Sequence, residues 1–434
     1  MKIIKVNGLT PIQSGMLFQY MLSNDKSSYM GTEIFELEGN INSDIFKSVL
    51  EKISDEYEVF RTNVIYDKID VPKSVVIDKR TIPFEFHKAV TDEEIKLLTY
   101  KINAEQFEKG FDIQRDSLIR LDLIVGENSS VIIFSFHHIL MDGYCAAMIA
   151  DIIMKNYGKL LGRQIENDGE YVPFSAYQDW IIIQDMSQSR EYWHEYLKDI
   201  SPVQPLELIQ FGSDRKKDVG HSSLTVEFTP SETKELLSAA AAGNATLNIY
   251  MQWLWGITLC RNFSCDKAVF GTVVSYRPAE FSNAERVLGP MINTVPVVFE
   301  CSSDIKITEQ LNAFRRSFLD SMEHSWIGLG EISKAVEDCK NLIDHLFVYD
   351  NFPEMDFGSI KENTGFQVKN FKLEERTEYA LTLEVSKTDR IRIRFNFNSG
   401  RYSAESIERL AELYKNICVS AVNAQYPKDI ENIS

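Results

Sequence analysis

The clearest hydrophobic pattern in the chain runs from Ser129 to about Tyr157. Residues 129–138 are mainly β-branched and aromatic, which is typical of a buried strand, and they end in His137 and His138. Strand side chains point alternately to opposite faces, so these two histidines should face opposite ways. After a short loop, apolar residues recur at helical spacing as far as Tyr157. The segment therefore predicts a strand, a loop and a helix.

The loop between this strand and helix contains Asp142 and Gly143. An aspartate here can cap the helix, because its carboxylate accepts hydrogen bonds from the first free backbone amides. Glycine lets the backbone turn sharply and come close to a ligand. We therefore predict that Asp142 is the N-cap of the helix and that the loop is a candidate ligand-binding turn.

Similar patterns predict elements elsewhere in the chain. Thr10 suits the N-cap and Pro11 the first position of a helix near the N-terminus. Apolar residues recur at helical spacing from about Ser43 to Glu56 and from about Ser403 to Asn423, and residues 32–38 predict a strand. Because helices and strands alternate in both halves of the chain, the pattern favours an α/β fold.

Residues 161–171 are polar, contain glycine and show no apolar periodicity, so we place a domain boundary there. This divides the chain into an N-terminal lobe, residues 1–170, and a C-terminal lobe, residues 171–434. With 434 residues and 44% apolar content, the chain is long enough for two hydrophobic cores.

Composition and charge exclude several classes of protein. A formal charge of −18 argues against a general nucleic-acid binder. The N-terminal apolar segment is too short for a signal peptide. No apolar run approaches the roughly 20 residues that a membrane span needs, and the longest, Ile249 to Cys260, predicts a buried helix. The six cysteines are scattered and include no CxxC pair, so we expect a reduced, metal-free, cytoplasmic protein. We also expect it to be a monomer.

The segment His137-His138-Ile-Leu-Met-Asp142-Gly143 resembles the His-His-x-x-x-Asp-Gly signature of condensation domains from nonribosomal peptide synthetases. These domains belong to the chloramphenicol acetyltransferase-like superfamily. Further motifs of the family have counterparts in the correct order over essentially the whole chain. Three positions depart from the family pattern: Tyr57, Tyr276 and Pro290. The segments Leu9 to Phe18 and His324 to Leu329 are similar to the subtype that takes a D-configured donor.

The resemblance implies two chloramphenicol acetyltransferase-like α/β sandwich lobes that form a V-shaped pseudo-dimer. It places the active site between the lobes, at the end of the 129–138 strand. It also implies that segments of the C-terminal lobe, near residues 284–294 and 370–385, cross back to the N-terminal lobe.

The activity that the resemblance implies is peptide-bond formation. The amine of a carrier-bound aminoacyl acceptor would attack the thioester of a carrier-bound acyl or peptidyl donor. The domain itself should bind no cofactor, because its substrates arrive on the 4'-phosphopantetheine arms of donor and acceptor peptidyl carrier proteins. Neighbouring synthetase domains are further expected partners, and we expect the chain to be a domain of a larger synthetase. The chain has no nucleotide-binding P-loop and no G-x-S-x-G elbow, which agrees with direct attack by the amine.

By resemblance, His138 is the catalytic histidine and His137 shapes the site. An imidazole with a pKa of about 6.5 is well matched to receive or share the proton of the attacking nitrogen. The backbone N–H at Gly143 is a candidate donor to the oxyanion. Asp142 is either a general acid or, as the family favours, half of a structural ion pair, with Arg61 as first candidate partner and Arg277 as second. The residues expected along the substrate channel are Tyr144, Trp180, Ser275, Asn293 and His324.

Other functions remain open from the sequence. An acyltransferase to a soluble amine or alcohol would use the same histidine, whereas a non-catalytic domain that recruits carriers or tailoring enzymes would usually lose it. Epimerisation is a weaker alternative, and heterocyclisation is disfavoured because that group carries aspartates in place of the histidines. A metal site at His137, His138 and Asp142 is also disfavoured, because adjacent histidines on alternating faces chelate poorly.

Overall fold

The computed structural model describes residues 2–23, 25–39, 41–165, 169, 171–200, 220–336, 342–350, 357–375 and 379–430. The chain forms two compact units. The first comprises Met1–Asp185, Arg277–Met291 and Phe352–Glu378, and the second comprises Met186–Tyr276, Ile292–Asn351 and Tyr379–Ser434. Residue 170, the last of the predicted N-terminal lobe, lies outside the described residues, as do residues 376–378 of the predicted crossing segment 370–385.

The strands of the described residues follow one another along the chain. They are β1 (Ile3–Gly8), β2 (Met30–Glu38), β3 (Thr62–Ile65), β4 (Lys73–Ile77), β5 (Phe84–Lys88), β6 (Ile119–Val125), β7 (Ser129–His137), β8 (Val172–Pro173), β9 (His221–Glu227), β10 (Lys267–Ser275), β11 (Val287–Leu288), β12 (Ile292–Glu300), β13 (Leu346–Asp350), β14 (Gln367–Glu375), β15 (Leu381–Lys387) and β16 (Ile391–Asn398).

The α-helices of the described residues alternate with these strands in both units. They are α1 (Pro11–Ser23), α2 (Ser43–Glu56), α3 (Asp92–Lys109), α4 (Gly143–Leu160), α5 (Phe174–Ile182), α6 (Ser187–Leu197), α7 (Pro230–Ala242), α8 (Leu247–Phe263), α9 (Ile307–Glu323), α10 (Leu329–Ile332), α11 (Phe357–Thr364) and α12 (Ala404–Ala421). Both units are therefore mixed α/β, as the sequence predicts. None of these helices is long and apolar enough to cross a membrane.

The main sheet of the first unit has the strand order β14-β2-β7-β6-β5. Its third strand, β7, pairs antiparallel with β2 on one side and with β6 on the other. From Ser130 to His137 every residue of β7 is buried. A strand hydrogen-bonded on both edges and covered on both faces is fixed in register, so its last residue is held in a defined position. A three-stranded sheet, β1-β4-β3, and the short parallel pair β11-β8 complete the unit.

The second unit is built on one six-stranded sheet in the order β12-β10-β13-β15-β16-β9. Helix α8 is its central core element, and all but one of its residues from Leu247 to Cys260 are buried. Trp253 and Trp255 within it are fully buried. The prediction of a buried helix from Ile249 to Cys260 is therefore confirmed.

Gly31, near the start of β2, allows an aromatic ring to lie close to the backbone of the first unit's main sheet. It pairs with Phe136 of β7 and with Glu375 of β14. A Cβ at this position would lie 2.5 Å from the ring atom Cζ of Phe136. The glycine therefore makes room for Phe136, whose ring in turn packs against His138.

We expect Gly31→Ala to lower the free energy of unfolding by about 1–3 kcal/mol, because overpacking a buried strand forces neighbours to shift. Gly15→Ala is the matched control, because a Cβ at Gly15 in α1 meets nothing within 4 Å. It should stabilise the protein by about 0.5–1 kcal/mol, as alanine does in a helix. Urea unfolding followed by circular dichroism measures both effects. Equal midpoints for Gly31→Ala and the wild type would contradict the predicted clash.

Candidate active site

The two histidines lie where β7 ends in a tight turn. The backbone N–H of His137 donates to the carbonyl of Leu118 at 3.0 Å, and that of Leu140 donates to the carbonyl of His137 at 3.0 Å. The N–H of His138 donates to the carbonyl of Tyr29 at 2.8 Å. These bonds to neighbouring chain segments fix the backbone of both histidines, so their side chains project in set directions.

His137 is fully buried and has the surroundings of a structural residue. Its ring packs edge-on against Tyr20 and Phe111, with centroids 5.8 Å and 6.2 Å away. Its Nδ1 accepts a hydrogen bond from the N–H of Ile139 at 3.1 Å, so Nδ1 is the unprotonated nitrogen. Burial, with the nearby charge of His138, lowers the pKa of His137 to about 3. The ring is therefore neutral at physiological pH.

His138 lies on the other side, as the strand alternation predicts, with its ring edge-on to Phe136. Its Nδ1 lies 3.3 Å from the carbonyl oxygen of Met141. Its Nε2 lies 3.1 Å from Oε1 of Glu375, a close charge contact and not a well-aligned hydrogen bond. Burial alone would lower the pKa of His138, but the charge of Glu375, the Met141 carbonyl and Asp142 raise it, and the net shift is upward.

Glu375 is a site residue that the sequence analysis missed. It is the last residue of β14, directly opposite Gly31 of β2, and its side chain is 21% exposed. A second carboxyl, Glu33, is buried one pair further along the same face of β2. Burial, together with the charge of Glu375, raises the pKa of Glu33 to about 8. The sequence did indicate that Glu33 is buried, because Glu33 and the apolar Phe35 lie on the same face of the predicted strand. Nothing in the sequence indicated a role for Glu375.

Asp142 is fully buried at the start of α4, and both its oxygens are occupied. Oδ1 accepts from the N–H of Cys145 at 2.9 Å, which is the predicted N-cap bond. Oδ2 accepts from the N–H of Met291 at 2.9 Å. The guanidinium of Arg277 lies 3.4 Å from both oxygens. With these partners in place the carboxylate holds the loop, and its geometry is that of a structural residue.

The prediction of Arg61 as the first-choice partner of Asp142 is wrong. Arg61 donates to the carbonyls of Ser54 and Ile77, each at 2.7 Å. Its guanidinium therefore binds backbone carbonyls in the last turn of α2 and at the end of β4. The second candidate, Arg277, forms the ion pair. Arg277 also donates to the carbonyl of Ala284 at 2.9 Å, and its guanidinium lies 4.1 Å from the ring centroid of Tyr144.

Gln13 supports the histidine turn from α1. Its side-chain oxygen accepts from the N–H of Thr10, while its own N–H donates to the Thr10 hydroxyl, which forms a capping box. Its amide nitrogen donates to the carbonyl of Ile139 at 2.9 Å. Gln178 donates to the Gln13 oxygen at 2.9 Å. The start of α1 is thus connected to the turn that follows His138, a role that sequence reasoning did not assign.

The remaining predicted site residues divide between the two units. In the first unit, Gly143 is the first residue of α4, so its N–H has no partner within the helix ladder. Tyr144 lies under Arg277, and Trp180 packs on Tyr177 and Phe281.

In the second unit, Ser275 is the last residue of β10 and pairs with Ile292. Asn293 donates to the carbonyls of Ser325 and Ile327, both at 2.6 Å. His324 stacks on Tyr192 at 4.3 Å, and burial lowers its pKa. These contacts place the predicted channel residues in packed surroundings, and their role toward a substrate stays a prediction.

Comparison with known proteins gives consistent matches over nearly the whole chain. The family described as Condensation domain matches residues 4–426. Gramicidin S synthase 2 of Aneurinibacillus migulanus is 30% identical over 428 residues, which cover 96% of this chain. This chain spans only 9% of the length of that relative.

Solved structures show the same fold at low sequence identity. The first condensation domain of the calcium-dependent antibiotic synthetase, in complex with substrate analogue 3a, has a TM-score of 0.80 at 14% identity and covers 99% of both chains. A four-domain nonribosomal peptide synthetase bound to AMP and glycine has a TM-score of 0.81 at 17% identity, covering 99% of this chain and 34% of that one. The predicted α/β fold class is therefore confirmed.

Removing the guanidinium in Arg277→Met should cost about 3–5 kcal/mol of stability, because it leaves a buried carboxylate without its counter-charge. The double variant Asp142→Asn, Arg277→Met should lose less than Arg277→Met alone, since the neutral asparagine leaves no buried charge, although its one carbonyl oxygen can replace only one of the two acceptor oxygens of the carboxylate. Arg61→Met serves as the control, and its effect should add to that of Asp142→Asn within about 0.5 kcal/mol. Urea unfolding of the single and double variants gives the coupling energy of Asp142 with Arg277 and that of Asp142 with Arg61. A coupling to Arg61 as large as that to Arg277 would contradict the ion-pair assignment.

Proposed function

The chain belongs to the condensation-domain family, and we propose that it joins a carrier-bound acyl or peptidyl donor to the amine of a carrier-bound aminoacyl acceptor. Condensation domains are acyltransferases that form amide bonds in nonribosomal peptide synthesis. The observation that carries the proposal is the environment of His138, whose Nε2 faces a carboxylate while a buried ion pair holds the loop beside it.

The reaction needs one proton to move. The amine nitrogen attacks the thioester carbonyl, a C–N bond forms, and the carbonyl oxygen becomes anionic while the nitrogen becomes cationic. The nitrogen then loses a proton, the C–S bond breaks, and the departing thiolate takes up a proton. An α-amine titrates near pH 8, so a useful fraction is already neutral at physiological pH. We therefore assign to His138 the task of receiving the proton of the intermediate.

Two further groups have supporting roles in this proposal. The N–H of Gly143, at the first position of α4, is the candidate donor to the anionic oxygen, since amides at a helix N-terminus favour negative charge. His137 supports the turn as a buried neutral ring, and Asp142 holds the loop through Arg277. General-base catalysis of this kind is typically worth roughly 10²–10⁴-fold.

Several finer points belong to the same proposal. Substrates arrive on the phosphopantetheine arms of peptidyl carrier proteins, and the domain binds no cofactor of its own. Neighbouring synthetase domains are further partners, which the multidomain organisation of one similar structure supports. We also propose a D-configured donor, on the motifs at Leu9 to Phe18 and His324 to Leu329.

The test uses one carrier loaded with a D- or L-configured donor and a second loaded with an L-aminoacyl acceptor. Intact-mass spectrometry follows the growth of the acceptor. We expect transfer in the wild type, faster with the D-donor, and a loss of roughly 10²–10⁴-fold in His138→Ala. The exposed His194→Ala, on α6, is the matched control and should transfer normally.

Two outcomes would replace the proposal. Equal transfer to a free amine or alcohol would favour the acyltransferase to a soluble acceptor. Binding of both carriers without any transfer, for either donor configuration, would favour a recruitment domain.

A further inference from the structure

Both ring nitrogens of His138 face oxygen atoms. Nδ1 lies 3.3 Å from the carbonyl oxygen of Met141, and a carbonyl can only accept, so Nδ1 carries a hydrogen. A neutral ring with that hydrogen would present the lone pair of Nε2 to the carboxylate of Glu375 at 3.1 Å. Two electron pairs at that distance repel each other. One additional proton, on Nε2 or on the carboxyl of Glu375, removes this repulsion.

Among the residues that the structure describes, the other charged groups around His138 are neutral or paired. Asp142, at the start of α4, is paired with Arg277 and two backbone N–H groups. His137, the preceding residue, is neutral because burial lowers its pKa to about 3. Glu33, which faces Glu375 from β2, is mainly protonated at neutral pH because its pKa is raised to about 8. Within the described part of the chain, Glu375 on β14 is thus the carboxyl that faces Nε2.

We propose that Glu375 is a positioning residue that holds His138 through the proton on Nε2 and sets the pH above which His138 accepts the proton of the acceptor amine. This inference rests on the proposed peptide-forming function. In each turnover the nitrogen of the intermediate gives its proton to Nε2 of an unprotonated His138, and His138 and Glu375 then form a charged pair. Loss of this proton to the departing thiolate returns Nε2 to the unprotonated form. The side chain of Glu375 is 21% exposed, so it also offers the proton a way to water.

The neighbouring Glu374 provides a matched control. Strand alternation points it to the opposite face of β14, where it accepts from the side chain of Asn103 at 2.8 Å and pairs with Lys372. Glu375→Gln and Glu374→Gln remove the same charge from adjacent positions, but only the first removes it from Nε2 of His138.

The first experiment is the pH dependence of kcat/KM for peptide formation between loaded carriers. Because Glu375 raises the pKa of His138, the rate should rise with pH as His138 loses its proton. In Glu375→Gln that rise should move to lower pH by about 1–3 units, the usual effect of an opposite charge at this distance. Glu374→Gln should keep the wild-type profile. An unmoved profile in Glu375→Gln, or an equal shift in both variants, would overturn the inference.

The second experiment needs no substrate. Histidine-selective ¹⁵N labelling, with the His138 signal assigned by comparison with His138→Gln, gives the pKa of His138 directly in the full chain. It should fall in Glu375→Gln and stay at the wild-type value in Glu374→Gln. If this pKa moves but no peptide forms with any donor, the proposed function fails while the proton-sharing pair stands. If peptide forms and neither the pKa nor the rate profile moves, Glu375 has no part in positioning the proton.

Discussion

The loop at the end of β7 depends on the compensation of one buried charge, that of Asp142. A carboxylate with no exposure is costly unless it is paired and hydrogen-bonded. Its own helix supplies only the N–H of Cys145, while Arg277 comes from a segment 135 residues further along the chain. The segment 277–291 therefore helps to hold the loop that follows His138, through Arg277 and the N–H of Met291. A change at Arg277 would affect His138 without any contact to a substrate.

Neighbouring titratable groups in this site differ because their environments differ. His137 and His138 are adjacent, yet one ring is surrounded by Tyr20 and Phe111 and the other faces a carboxylate. The first is kept neutral by burial, while the second is drawn toward its charged form. The same division separates Glu33, which burial keeps mainly protonated, from Glu375, which is partly open to solvent. Neighbouring groups whose pKa values are pushed in opposite directions, as in His137 and His138, are typical of sites that move protons.

Those parts of the site that depend on local pattern could be predicted from the sequence. The strand, the opposite orientation of the two histidines and the N-cap at Asp142 all follow from residues within one short segment. The partner of Asp142 could not be ranked correctly, because nothing in the sequence shows that Arg61 binds backbone carbonyls of α2 and β4. Glu375 was missed for a related reason. Its contact with His138 depends on the pairing of β14 with β2, and charged residues at a strand end are common without any such role.

The contact between Glu375 and His138 also bears on the choice between amine and water. A neutral imidazole is a general base for either nucleophile, so a free His138 beside a thioester would promote hydrolysis as well as peptide formation. While Nε2 holds a proton toward Glu375, the ring can activate neither. Protonation of His138 slows aminolysis less than hydrolysis, because a neutral amine attacks without first losing a proton. The amine needs the base only after the intermediate has formed. In the proposed reaction, a carboxylate that raises the pKa of His138 therefore disfavours hydrolysis more than peptide formation.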